Sequence, residues 1–226
     1  MEDSMYRRLL LLPLFNGLTT GELTQIIAQI HLDFNQHTDG ETLIQQDDRC
    51  DRLVYVLNGQ VGIELRDTAQ QFILTEQSNQ PFIVEPYNLY GMRQYYEHSY
   101  VTRTPVDTVT VSKRDFNNVM LNYSIVRTNM LNLLCARIQN QTLLLHEQEA
   151  DSVTQKMVQF LRRISSTPKG EKLLQMRMEN LATQIQETRI NVSMSLRQLK
   201  QQGLIDMPHR AHILIPDLQA LVKEYL

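Results

Sequence analysis

Cysteine is scarce in this chain. Only Cys50 and Cys135 occur among 226 residues. Neither stands in a CxxC or Cys/His spacing, so no zinc or iron–sulfur site is expected. One disulfide is arithmetically available, but two free thiols in a reducing cytoplasm is the expected state. Long apolar runs are missing too. The longest, LLLLPLF at Leu9–Phe15, holds a proline and falls far short of the ~20 residues that span a bilayer. No small-residue cleavage site follows it, so neither a membrane segment nor a signal peptide is expected, and a cytoplasmic location is. Catalytic patterns are also lacking. There is no Ser/His/Asp arrangement, no glycine-rich phosphate loop and no carboxylate pair at helical spacing beside a histidine. Glu41, Asp47 and Asp48 read as loop and turn residues. No catalytic residue or cofactor is nominated, and an enzyme is not expected.

What is present is an ordinary globular composition, 42% hydrophobic and 21% charged, with enough apolar side chain for a core. Net charge is −3, but it is unevenly spread. Residues 151–226 carry eleven Lys and Arg against seven Asp and Glu; residues 1–150 carry eleven against eighteen. An acidic part joined to a basic part suggests that the basic part meets phosphates.

Along the chain, Tyr6–Leu12 and Thr20–Ile30 have helical spacing, with Thr19 or Thr20 as a cap and Leu23, Ile26, Ile27 and Ile30 as an apolar stripe. From His31 to about Ser112, short apolar segments alternate with polar residues and turns. LVYVL (Leu53–Leu57), Asn58-Gly59 and QVGIEL (Gln60–Leu65) predict two strands in a tight hairpin, and VDTVTVS (Val106–Ser112) predicts a further strand. Many short strands at this spacing suggest a small barrel or roll. Glycine and proline then disappear between Phe116 and Glu149. Leu131, Leu134, Ile138, Gln141, Leu145 and Gln148 fall at the 3,4 spacing of a coiled-coil seam. One continuous helix there would be ~50 Å long. It predicts a homodimer contact with Gln141 setting register, or else a helix packed on its own domain. Another helix is expected over Ser152–Ser165, followed by the loop SSTPKG.

MRMENLATQIQETRINVSMSLRQLKQQGLI (Met176–Ile205) carries the most information. Leu181, Ala182 and Ile185 form the inner face of one short helix. Gln186-Glu187-Thr188 breaks the pattern. Val192, Leu196 and Leu199 form the inner face of a second helix, ended by Gly203. Two short helices around a tight turn predict a helix-turn-helix, whose second helix enters a major groove ~12 Å wide. Its outward residues are Arg189, Ile190, Ser193, Met194 and Arg197. Thr188, the N-cap, and Asn191 are placed to meet a phosphate. Arg189 suits a bidentate contact to guanine, and Arg197 a phosphate. LIDMPHRAHILI (Leu204–Ile215) predicts two strands with His209 and Arg210 at the tip, a wing beside the groove. A helical hairpin with a merely solvated charged face is the alternative.

From Leu14 to Leu226 the chain resembles the CRP/FNR transcription regulators. The resemblance rests on LFNGLTTGEL, DGETLIQQDDRCDRLVYVLNGQV, the long helix and, most specifically, NLATQIQETRINVSMSLRQLKQQGLI. It implies an α+β architecture: an N-terminal β-roll (a double-stranded β-helix) resembling the cyclic-nucleotide-binding domain at 1–115, a dimerisation helix at 116–149, and a winged helix-turn-helix at 150–226. It implies double-stranded DNA with a palindromic operator, RNA polymerase and a second copy of the chain as partners, with a small-molecule effector in the roll. Many members open the recognition helix with Arg-Glu and place another Arg one turn later. Here Arg189 matches, but Ile190 and Met194 stand at the other positions. Ile190 cannot accept from cytosine N4 and can only pack on a thymine methyl, so a different operator is expected.

The cyclic-nucleotide members carry Gly-Glu and, about ten residues on, Arg followed by Ser or Thr, a cradle for phosphate and ribose. In YGMRQYYEHSYVTRTP (Tyr90–Pro105), Gly91 matches, but Met92 replaces Glu. Tyr96, Glu97 and His98 lie near the Arg-Ser position, and Arg103-Thr104 comes too late. A buried Glu97 would repel a phosphate. Cyclic AMP is therefore not the expected ligand. Gly91, Met92, Arg93, Tyr95, Tyr100 and Arg103 remain the candidate effector residues. The occupants left open are another anion on Arg93 or Arg103, an aromatic or apolar metabolite among Tyr90, Tyr95, Tyr96 and Tyr100, and the protein's own side chains. The rival functions are a cyclic-nucleotide-responsive regulator with a rearranged cassette and an interaction module that reads no DNA. His31, His37, His98 and His146 read as polar surface, and a haem site is not expected.

Overall fold

The computed structural model describes residues 9–10, 12–145, 150–167 and 169–226. They divide into two compact units, Met1–Val61 with Asn79–Leu145, and Gly62–Ser78 with His146–Leu226.

The first unit opens with helix α1 (Thr20–Ile27). Thr19 accepts from the Glu22 N–H, and the Glu22 carboxylate accepts from the Thr19 N–H in return, a reciprocal cap. Of the expected preceding helix, Leu9 and Leu10 are helical, and residues 6–8 and 11 lie outside the described residues. Strands β1 (Asp33–His37), β2 (Thr42–Ile44), β3 (Arg52–Val56), β6 (Phe82–Ile83), β7 (Ser99–Thr102) and β8 (Val106–Ser112) follow. β1, β8, β3 and β6 form a sheet in that order, and β2 pairs antiparallel with β7. The core of this unit is apolar and aromatic: Phe15 stacks on the fully buried Tyr55 at 5.6 Å.

The Asn58-Gly59 hairpin does not form. Strand β3 pairs with β8 and β6, while β4 (Val61–Asp67) pairs with β5 (Phe72–Ser78). Asn58 and Gly59 instead make a corner. The Asn58 side chain holds Asp107 through both its amide nitrogen and its oxygen, and Gly59 sits at φ +82°. A Cβ on Gly59 would lie 2.5 Å from the Pro105 carbonyl. Gly40 has the same φ with open space around it. Gly59→Ala is therefore expected to destabilise the protein well beyond Gly40→Ala. The latter carries only backbone strain of about 1–3 kcal/mol. Thermal unfolding by circular dichroism ranks the two.

The long helix also differs from expectation. Ser112 caps a short helix α2 (Lys113–Asn118), the chain kinks through Met120–Asn122, and Tyr123 is extended before α3 (Ser124–Leu145) begins. The break has a packing reason. At 100° per residue, one straight helix would put Val126 about 240° around from Met120. With the kink, Phe116, Met120, Val126 and Met130 are all buried. Helix α3 is about 33 Å long, and Asn129 ties it to the carbonyls of Leu14 and Asn16. Residues 146–149 of the expected helix, Gln148 among them, lie outside the described residues. Both cysteines are free, Cys50 buried and Cys135 exposed.

The second unit contains α4 (Val153–Ile164), β9 (Lys172–Met176), α5 (Met178–Gln184), α6 (Arg189–Gln201), β10 (His212–Ile215) and α7 (Leu218–Tyr225). It also contains β4 and β5, which the sequence alone assigns to the roll. The strand order is β10-β9-β5-β4. Phe72, Leu74 and Glu76 of β5 face Met176, Leu174 and Lys172 of β9 across the antiparallel ladder. Phe72 and Leu74 share one core with Phe160, Leu181, Val192 and Leu199, and Phe72 meets Phe160 edge-on at 5.9 Å. Asn180 of α5 donates to Gln71 in the β4–β5 turn.

On the core face of that sheet lies an ion pair. Lys172 and Glu76 are 1% and 3% exposed, with Nζ 2.7 Å from Oε1. The ammonium also donates to the Lys169 carbonyl and Thr167 Oγ1. The second Glu76 oxygen accepts from the Ser166 N–H.

Candidate DNA interface

Helix α5 buries Leu181 and Ala182, Ile185 follows in the turn, and α6 buries Val192, Leu196 and Leu199. These are the residues whose spacing predicted the inner faces. The turn passes through Gln186 at φ +55°. Glu187 then receives Lys156 of α4 at 2.6 Å and the Asn191 amide at 3.2 Å. Those hydrogen bonds, Lys156 first, hold its carboxyl below the usual range. Thr188 caps α6 by accepting from the Asn191 N–H. Ser195 turns inward to bond Thr154.

With one stripe of α6 buried, its first turns project outward. Arg189, Asn191 and Arg197 are exposed; Ile190 is 72% and Met194 64% exposed; Ser193 is half-buried. Arg189 forms an exposed pair with Glu179 at 3.2 Å, a contact weak enough to exchange for another partner. Beside it runs a groove of about 770 Å³ whose lining includes Arg177, Arg189, His209, Arg210 and His212, together with Glu179 and apolar side chains such as Met178 and Met207. Arg177, which directly follows β9, is a lining residue that the sequence reading does not include. The wing is simpler than predicted. Only Asp206 bridges Leu214, and β10 takes β9 as its ladder partner. His209 and Arg210 are exposed at the bend, where Ala211 adopts φ +63°.

In the roll, the six candidate effector residues separate. Gly91, Met92, Arg93, Tyr95 and Arg103 are exposed, whereas Tyr100 is buried and donates to Glu85 at 3.0 Å. Tyr96 is buried and donates to the Arg52 carbonyl; Tyr90 bonds Asn117 and carries Lys113 over its ring. Glu97 is not buried. It lies at the surface, paired with Arg137 of α3 at 3.2 Å, while that guanidinium stacks over Tyr87. The buried carboxylate is Glu85, which no sequence signal marked.

Two families match this chain in tandem. The cyclic nucleotide-binding domain matches residues 35–123 and the Crp-like helix-turn-helix domain residues 155–224. The chain belongs to the CRP/FNR family of regulators. Two solved structures share the fold. The Catabolite Activator Protein of Thermus thermophilus is 20% identical, covering 94% of this chain and 97% of its own, with a TM-score of 0.53. A protein from Eubacterium rectale described as a transcriptional regulator of the crp/fnr family is 19% identical, covering 93% and 96%, with a TM-score of 0.52. No curated protein sequence gives a significant match.

In this CRP/FNR regulator, α3 carries the seam residues as follows. Leu131 and Ile138 are 55% and 64% exposed, Leu134 is half-buried, Gln141 is exposed, and Leu145 ends the helix. Among the described residues, no helix is long and apolar enough to cross a membrane.

Proposed function

We propose that the chain is a homodimeric, sequence-specific transcription regulator that reads a palindromic DNA site through α6. One observation carries this reading: Arg189, Ile190 and Met194 stand exposed on the first turns of a helix whose other stripe is fully buried. Arg189 would read a guanine, Ile190 a thymine methyl, and Arg177, Arg197 and Arg210 phosphates. The exposed Leu131 and Ile138 on α3 would meet their mates in a second copy, placing two recognition helices about 34 Å apart on one face of DNA. RNA polymerase is the expected further partner, and the roll the expected sensor.

The test is a gel shift on genomic fragments at several salt concentrations, followed by Arg189→Ala on a selected fragment. Affinity should fall steeply with salt, with a log–log slope of roughly −0.9 per phosphate contact. Arg189→Ala should cost about 1–3 kcal/mol per half-site and relax preference at one base pair. Salt-independent binding, or an Arg189→Ala protein with unchanged base preference, would favour an interaction module that does not read DNA.

A further inference from the structure

Glu85 is the most heavily solvated carboxylate in the roll, yet its solvent is the protein. It is 4% exposed. One oxygen accepts from the backbone N–H of Glu97 at 2.6 Å and from the Asn88 amide at 2.8 Å. The other accepts from the backbone N–H of His98 at 3.1 Å, from His98 Nδ1 at 2.6 Å and from the Tyr100 hydroxyl at 3.0 Å. Two successive backbone N–H groups, an imidazole, a phenol and an amide converge on one anion. Burial alone would raise the Glu85 carboxyl, but the His98 hydrogen bond and charge, with the Glu97 N–H and Asn88, outweigh it and hold the group low. The residue adopts φ +36°, ψ +55° to reach this cradle, a backbone region that side chains other than glycine's seldom occupy.

We infer that this cradle is an oxyanion site whose occupant is the chain's own Glu85. The roll therefore carries its anion covalently and is closed to exogenous oxyanions there, the phosphate of a cyclic nucleotide included. Emptied of Glu85, the site takes a short-chain monocarboxylate. The backbone geometry makes the test direct. Glycine tolerates positive φ, and Glu85→Gly removes a group whose free counterpart is propionate. Glu85→Ala removes the equivalent of acetate.

The full-length protein is followed by circular dichroism melting and calorimetry, with sodium propionate, propionamide, sodium chloride at equal ionic strength, and cyclic AMP as probes. Wild type should show no heat and no shift of midpoint with propionate or cyclic AMP beyond the chloride control. Glu85→Gly should melt lower, and propionate should raise its midpoint with the logarithm of concentration, as mass action requires. Propionamide and chloride should not. Should Glu85→Gly be unfolded in chloride, propionate should restore its dichroism, and acetate should do the same for Glu85→Ala. Glu85→Gln, which keeps the space filled, should stay folded and ignore propionate. Equal responses to propionate and propionamide, both truncated variants remaining unfolded with their acids, or saturable cyclic AMP binding to wild type would each overturn the inference. None of these readouts involves DNA, so they stand or fall apart from the gene-control reading.

Discussion

Lys172→Met should be among the most damaging single substitutions in the protein, lowering stability by about 3–5 kcal/mol. The residue looks replaceable, since Leu174 and Met176 flank it on the buried face of β9 and its long stem is apolar. Its partner decides the cost. Glu76 is fixed opposite on β5 and would keep a buried charge with only the Ser166 N–H for company. The loss should appear as a fall of roughly 6–20 °C in thermal midpoint. The chain has no tryptophan, so circular dichroism or tyrosine fluorescence is the readout. The decisive comparison is the double variant Glu76→Leu with Lys172→Met. Replacing both charges by apolar groups of similar volume is commonly neutral or stabilising, so the double variant should recover most of what the single one loses. A double variant as unstable as Lys172→Met would mean that the pair's geometry, not charge compensation, supports the sheet.

The second large effect concerns assembly. Leu131→Asp combined with Ile138→Asp should yield a monomer in analytical ultracentrifugation with an unchanged dichroism spectrum. Both side chains are mostly exposed within one copy, so the isolated fold loses little. Two carboxylates on each side of the seam would be forced together in a dimer. Specific DNA binding should fall by at least about 10³-fold, the lower end of the usual gap between specific and non-specific affinity, because a monomer engages one half-site. A variant that stays dimeric would place the contact elsewhere.

How much of the fold and site is legible in the sequence follows from the range of each signal. The inner faces of α5 and α6 are legible residue by residue, because a 3.6-residue period is written within a dozen positions. The capping threonines and the strand at Val106–Ser112 were readable for the same reason. Pairing was not. Asn58-Gly59 announces a turn but does not say which strands lie beside it, and β3 finds its neighbours about 30 and 55 residues away. The kink before α3 has no proline or glycine to mark it and exists because four apolar residues must face one core. Glu85 is a lone acid in the run Val84-Glu85-Pro86; apart from the nearby Asn88 amide, its donors, four of the five, become neighbours only when β7 and its approach fold back on it.

Strand β9 lies inside its sheet, flanked by β10 and by β5, and β5 is encoded about a hundred residues earlier. A recombinant fragment cut at residue 150 would retain every candidate base-reading side chain. It would also turn β9 into a bare edge with unpaired peptide groups, an invitation to aggregation, and uncover the apolar flank of Leu174 and Met176. Grafting Gly62–Ser78 back through a short linker is the design that such a fragment needs. On the ribosome, β5 emerges about a hundred residues before β9 and cannot pair with it until then, so folding of this unit includes a long-range closure step and should be slow for its size.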